Sequence, residues 1–279
     1  MYPVRLRHAA LAFTLGCLCA SARAETDDAL LDRLIERSGL QGKLVQLEAM
    51  MRRGTDELAA RNPRMTDYFA RVRLANARAY APTRLQPILR QELEGELSRA
   101  DVEAVLARSD SPAELRLAAL ARQATSPADR ARIEAALASG HRQVLEPRRS
   151  ELLHELVRAA RVDELSAALL IAASVGAADG YAEGAPASSR ATVQQMRRGM
   201  DSDRPALVAA MHEQNVAAYG LVYADATDAD LEDALRFARS EAGERFYRVS
   251  TRAFEATAER AARDFAIEMS RSVPAAPAQ

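Results

Sequence analysis

From residue 25 onward, apolar residues recur every three or four positions, and no stretch keeps the alternation of a β-strand for long. A chain patterned this way buries its apolar stripes by packing helix on helix, so the sequence predicts an all-α fold. Leu30, Leu31, Leu34 and Ile35 mark a first helix, and Leu40, Leu44, Leu47 and Met51 mark a second that stops near Asn62-Pro63. Tyr68, Val72 and Leu74 belong to a third ending before Pro82, and a fourth runs from about Thr83 to Glu96. Composition agrees. Aromatic residues are 5% of the chain and Trp is absent, while Ala and Arg recur throughout. With 279 residues, 48% of them hydrophobic, the chain can bury a core of one large or two ordinary domains.

Helix starts are written in serine and threonine. Ser98-Arg-Ala-Asp101 and Thr227-Asp-Ala-Asp230 place a hydroxyl three residues before a carboxylate, the pattern of a capping box. Ser111-Pro-Ala-Glu114 and Ser126-Pro-Ala-Asp129 add a proline at the first helical position, where its missing N–H costs nothing.

Residues 1–24 read as a secretory signal peptide: Arg5, Arg7 and His8, then the apolar stretch Ala9 to Ala20, then Ala22-Arg23-Ala24 before an acidic cluster. Cleavage there implies a periplasmic, exported protein; a lipoprotein anchored through Cys17 is the rival. Both cysteines, Cys17 and Cys19, fall in the leader, so the mature chain would have no disulfide and no thiolate. Removing Arg5, Arg7 and Arg23 leaves 35 basic against 39 acidic residues, which argues against a nucleic-acid partner. No later segment reads as a membrane span; Leu165 to Ala178 reads as a buried helix.

The two halves resemble each other. Leu30 to Ile35 aligns with Leu152 to Val157 at an offset of 122, and Ser98 to Glu103 with Thr227 to Glu232 at an offset of 129. Ser111 falls on Ser240 at the second offset. The expected organisation is two similar, tandem helical bundles: residues 26–146 as a degenerate first repeat, 147–271 as the second, and 272–279 as a flexible tail. Gly176 to Ser189, rich in small residues, is the expected place of a seven-residue insertion.

The stretch Thr227 to Arg245, TDADLEDALRFARSEAGER, resembles the signature of an exported bacterial family known as domain of unknown function 2059. Thr227 and Asp230 open the acidic helix, and Leu231, Leu235, Phe237, Ser240, Gly243, Arg245 and Phe246 match the signature. Ala238 replaces its second aromatic and Glu241 its proline. The likeness covers roughly Leu152 to Phe265. In the first half Ser111-Pro112 survives, but Glu114 replaces the glycine. The resemblance implies an all-helical envelope protein and brings no catalytic residue.

Chemistry is sparse in the pattern. His141, His154 and His212 form no metal-binding spacing and read as exposed or core-edge residues, so no metal and no cofactor is expected. The acidic cluster Asp225, Asp228, Asp230, Glu232 and Asp233 reads as a helix start, and the arginine pairs as solvated faces. Lys43 is the only lysine, which sets lysine-dependent catalysis aside. Leu44, Leu47, Met50 and Met51 read as core. Ser240 reads as a helix cap and Gly243 as a close-packing position. These features suggest first a non-enzymatic interaction module binding an envelope protein or polymer. The alternative is a carrier or sensor of an apolar ligand held between helices. A hydrolase is third, requiring a histidine–carboxylate pair converging in a cleft.

Overall fold

The computed structural model describes residues 28–139, 145–183 and 187–271. The expected leader, both cysteines, His141 and the tail 272–279 lie outside them. Among the described residues there are twelve α-helices, one 3-10 turn and no strand, so the protein is all-α.

In order, α1 spans 28–37 and α2 Leu40–Arg61; after the 3-10 turn Pro63–Met65 come α3 (Thr66–Ala79) and α4 (Pro82–Leu93). Next along the chain are α5 (Arg99–Ser109), α6 (Pro112–Ala124) and α7 (Pro127–Ala138). Beyond residue 146 come α8 (Pro147–Ala159), α9 (Val162–Ala182), α10 (Ala187–Val222), α11 (Asp228–Ala238) and α12 (Glu241–Arg271). Ser98, Ser111, Ser126 and Thr227 each accept the backbone N–H three residues on, giving a helix-end donor the partner it would otherwise lack. Asp101 and Asp230 return a bond to the cap's own N–H, completing two capping boxes.

Two cores form. In the larger, Leu34, Leu44, Leu85 and Leu89, all 0% exposed, meet Phe246, Val249 and Phe254 of α12. Burying each leucine contributes roughly 1.5–3 kcal/mol. The second core joins Leu117 of α6 to Leu152, Leu153, Leu156 and Val157 of α8 and to Leu231 and Leu235 of α11. Each core therefore draws on both sides of Pro147. The helix after α5 packs on α11, and the helix after α11 packs on α5. Two ion pairs tie the exchange: Arg245 of α12 bonds Asp101 at 2.8 Å, and Arg116 of α6 bonds Asp230 at 3.1 Å. Each arginine thus grips a carboxylate that already closes a capping box.

Gly176 lies inside α9 rather than in a loop. A Cβ there would sit 2.3 Å from the Glu259 carbonyl oxygen of α12, and one at Gly180 would sit 2.4 Å from that of Arg263. These small residues mark a close helix crossing. Helices α2 and α9 begin 122 residues apart, and α5 and α11 begin 129 apart. Seven residues are about two helical turns, a length that preserves the buried face. On α3, Tyr68 and Leu74 face solvent, while Phe69, Val72 and Ala75 are buried. Among the described residues one helix, α9, is long and apolar enough to cross a membrane; here it packs against α10 and α12.

Candidate ligand cavity between the two cores

A cavity of about 430 Å3 lies where the cores meet. Its walls come from α2, α6, α8, α9, α11 and α12 and the end of α10, and Leu47, Leu117, Leu156, Leu165, Leu169 and Phe246 make them largely apolar. A recess of about 330 Å3 beside Gly95 differs in kind: its charges Asp28, Glu94 and Arg99 are all exposed.

Lys43, on the first turn of α2, lines the cavity. Its side chain is exposed, and desolvation by the surrounding protein lowers its pKa from 10.5. Its ammonium lies 5.9 Å from the centre of the Phe254 ring, and no described carboxylate pairs with it. Lysine, unlike arginine, can surrender its proton in such a place. Beside it the buried Ser38 hydroxyl, which also borders the cavity, lacks a hydrogen-bond partner among the described residues.

The other polar element is a cluster of phenols around Glu114. Tyr219 and Tyr223, one turn apart on α10 and just beyond its end, pack edge to face at 5.3 Å, and Tyr247 comes from α12. Burial raises all three phenols, Tyr223 to about 12, and the charge of Glu114 adds to each. Desolvation raises Glu114 itself. Arg108, its side chain 9% exposed, lies 2.9 Å from Glu114 and 3.0 Å from Asp233 and opposes part of that shift. The cavity thus offers a lone cation, weakly acidic hydroxyls and apolar walls, the usual makeup of a small-molecule site.

The residues singled out from the sequence fall elsewhere and do structural work. Thr227 and Asp230 cap α11, and Leu231 and Leu235 are buried in the second core. Phe237 packs on Tyr247. Ser240 accepts the Gly243 N–H at 3.1 Å, and a Cβ on Gly243 would meet the Phe237 carbonyl oxygen at 2.0 Å. Arg245 reaches Asp101, and Phe246 both joins the core and borders the cavity. Four members of the acidic cluster are paired: Asp228 with Arg149, Glu232 with Arg148, Asp230 with Arg116 and Asp233 with Arg108. Leu44 and Leu47 are buried as expected, but Met50 is exposed and lines the cavity.

Sequence reading overlooked Lys43, Glu114 and the three tyrosines. The available signal was that 38 basic residues include a single lysine, at a position facing the core side of α2. The chain matches no protein-family model, no curated protein and no solved structure in the three comparisons made.

Proposed function

We propose that the protein binds a small apolar molecule carrying an anionic group, with the anion at Lys43 and the apolar body along Leu47, Leu165 and Leu169. The observation that carries this reading is a sole lysine, without a carboxylate partner, lining an apolar cavity of ligand size. An ammonium with no carboxylate partner among the described residues is stabilised by an incoming negative charge. The volume of about 430 Å3 lies within the roughly 300–1,000 Å3 common for such sites. The unpartnered Ser38 hydroxyl supplies a donor in the lining of the same cavity.

Export through residues 1–24, descent of the two halves from one repeat, and kinship with the family of unknown function belong to the same reading. The shared offsets and the exchanged helices support the repeat. An envelope carrier or sensor meets apolar anions such as fatty acids, which makes them the first ligands to try.

Native mass spectrometry of the purified protein with decanoate and with decanol tests the proposal. Decanoate is expected to bind one-to-one and more tightly than the alcohol. Lys43→Met should lower decanoate affinity by on the order of tenfold to a hundredfold, the worth of a hydrogen bond to a charged group. It should leave decanol binding nearly unchanged. Absence of binding by either ligand, or an undiminished preference for the acid in Lys43→Met, would overturn it.

A further inference from the structure

Three helices bring together a second set of groups outside the cavity. His154 of α8 and His212 of α10 place Nδ1 and Nε2 2.9 Å apart, and their rings are 5.0 Å apart. A carboxylate oxygen of Glu213 lies within 4.8 Å of a ring nitrogen of each histidine. Behind them, the His212 Nδ1 lies 2.6 Å from Asp163, which is 4% exposed at the start of α9. Asn215 donates to the other Asp163 oxygen at 2.7 Å and lies 3.3 Å from the Ser166 hydroxyl.

We infer that His154 Nδ1, His212 Nε2 and the Glu213 carboxylate form a binding site for a divalent transition metal ion of the zinc class. An ionised Asp163 can only accept, so Nδ1 of His212 carries the proton and Nε2 presents a lone pair toward His154. A carboxylate behind a histidine is the support that orients metal-bound imidazoles and raises their basicity. Two metal–nitrogen bonds of about 2.0–2.1 Å at a tetrahedral angle separate the nitrogens by roughly 3.3 Å, a few tenths beyond the spacing here. Two imidazoles and one carboxylate form a borderline donor set that favours zinc, cobalt or nickel over calcium or magnesium. Three protein ligands leave a fourth position for water. The first half has no counterpart: Asp32, Gln41 and Thr83 stand at the positions matching His154, Asp163 and His212.

The test is calorimetric titration of zinc chloride into the tag-free, chelator-treated protein at pH 7.5, with cobalt(II) absorption as a second readout. One equivalent should bind, and cobalt should give the intense visible bands of a low-coordinate site. Glu213→Gln, at an exposed position, should weaken zinc by at least tenfold. Asp163→Asn should weaken it by roughly tenfold to a hundredfold. His154→Ala should weaken it further, and His141→Ala should have no effect. No stoichiometric zinc binding by the wild-type protein would overturn the assignment. So would affinity left within twofold by either His154→Ala or Glu213→Gln.

Discussion

Helices α2 and α9 leave the same kind of corner and arrive in different surroundings. Gly39 and Arg161, 122 residues apart, both hold left-handed backbone, with φ of 79° and 54°, immediately before the helix begins. Ser38 and Ala160, Lys43 and Leu165, and Leu47 and Leu169 are related by that offset, and each pair lines the cavity. Leu117 and Phe246, related by 129, also line it together. Matched positions therefore frame the cavity from two sides. Where the members differ in polarity, the first half supplies the polar one. The lining is thus unequal at these matched pairs, with Ser38 and Lys43 corresponding to Ala160 and Leu165.

The halves differ most in the helices that start at the matched Ser111 and Ser240. Helix α6 ends at Ala124 because Thr125 and the Ser126-Pro127 cap start a new helix, α7. At the position matching Ser126 stands Glu255, in the middle of α12, which runs on to Arg271. That additional length crosses α9 at Gly176. The matching glycine of α2, Gly54, has nothing within 4 Å of where its Cβ would be. One helix break decides whether the same small residue is a contact or a surface position.

Adding one methyl group to each glycine should have the largest effect. Gly176→Ala forces a backbone oxygen to move and should cost about 1–3 kcal/mol or more in denaturant unfolding. Gly54→Ala should be neutral or stabilise by roughly 0.5–1 kcal/mol, since alanine is the better helix former. Equal effects would show that the α9–α12 crossing is not as close as described.

Acid should expose the exchanged ion pairs next. Arg116 is the chief influence holding Asp230 at about 2, below its ordinary 3.8, against the opposing effect of desolvation and with help from Thr227. Desolvation, the largest influence on Asp101, would raise it. The Ser98 bonds and Arg245 together outweigh that and leave it lowered. A carboxylate depressed on folding stabilises the protein above its unfolded pKa and loses that contribution as pH falls toward its folded value. Stability should therefore decline between about pH 4 and pH 2. In Asp230→Asn that acid-dependent loss should be smaller, as measured by thermal unfolding across the range.

Smaller effects sharpen the corners. Ser240→Ala removes the bond to Gly243 N–H and should lower stability by ~1 kcal/mol, read from thermal unfolding. At the paired left-handed positions the signs should oppose. Arg161→Gly should relieve up to about 1 kcal/mol of backbone cost, and Gly39→Ala should incur a similar amount.

How much of this was readable in the sequence depends on which forces are local. Periodicity and capping residues act within a few residues, so the helical class and the starts of α5, α6, α7 and α11 could be read directly. The exchange of α6 and α12 depends on contacts between Arg116 and Asp230, and between Arg245 and Asp101, each more than a hundred residues apart, and no local pattern announces them. The cavity was hidden for the same reason, since its lysine, glutamate and tyrosines lie on four different helices or their ends. His154 and His212 stand 58 positions apart, and their rings meet only because the chain folds back between them. Gly176 was legible as small but not as a contact, since only the unbroken α12 makes it one.

Because the chain has one lysine, Lys43 gives a single lysine side-chain signal. In protein labelled with 13C-lysine, NMR titration should place its pKa below the ordinary 10.5, and saturating decanoate should move it upward as the carboxylate stabilises the ammonium. Affinity for decanoate should correspondingly fall as pH rises through the lowered value. A lysine that titrates at 10.5 and does not shift with ligand would contradict the account.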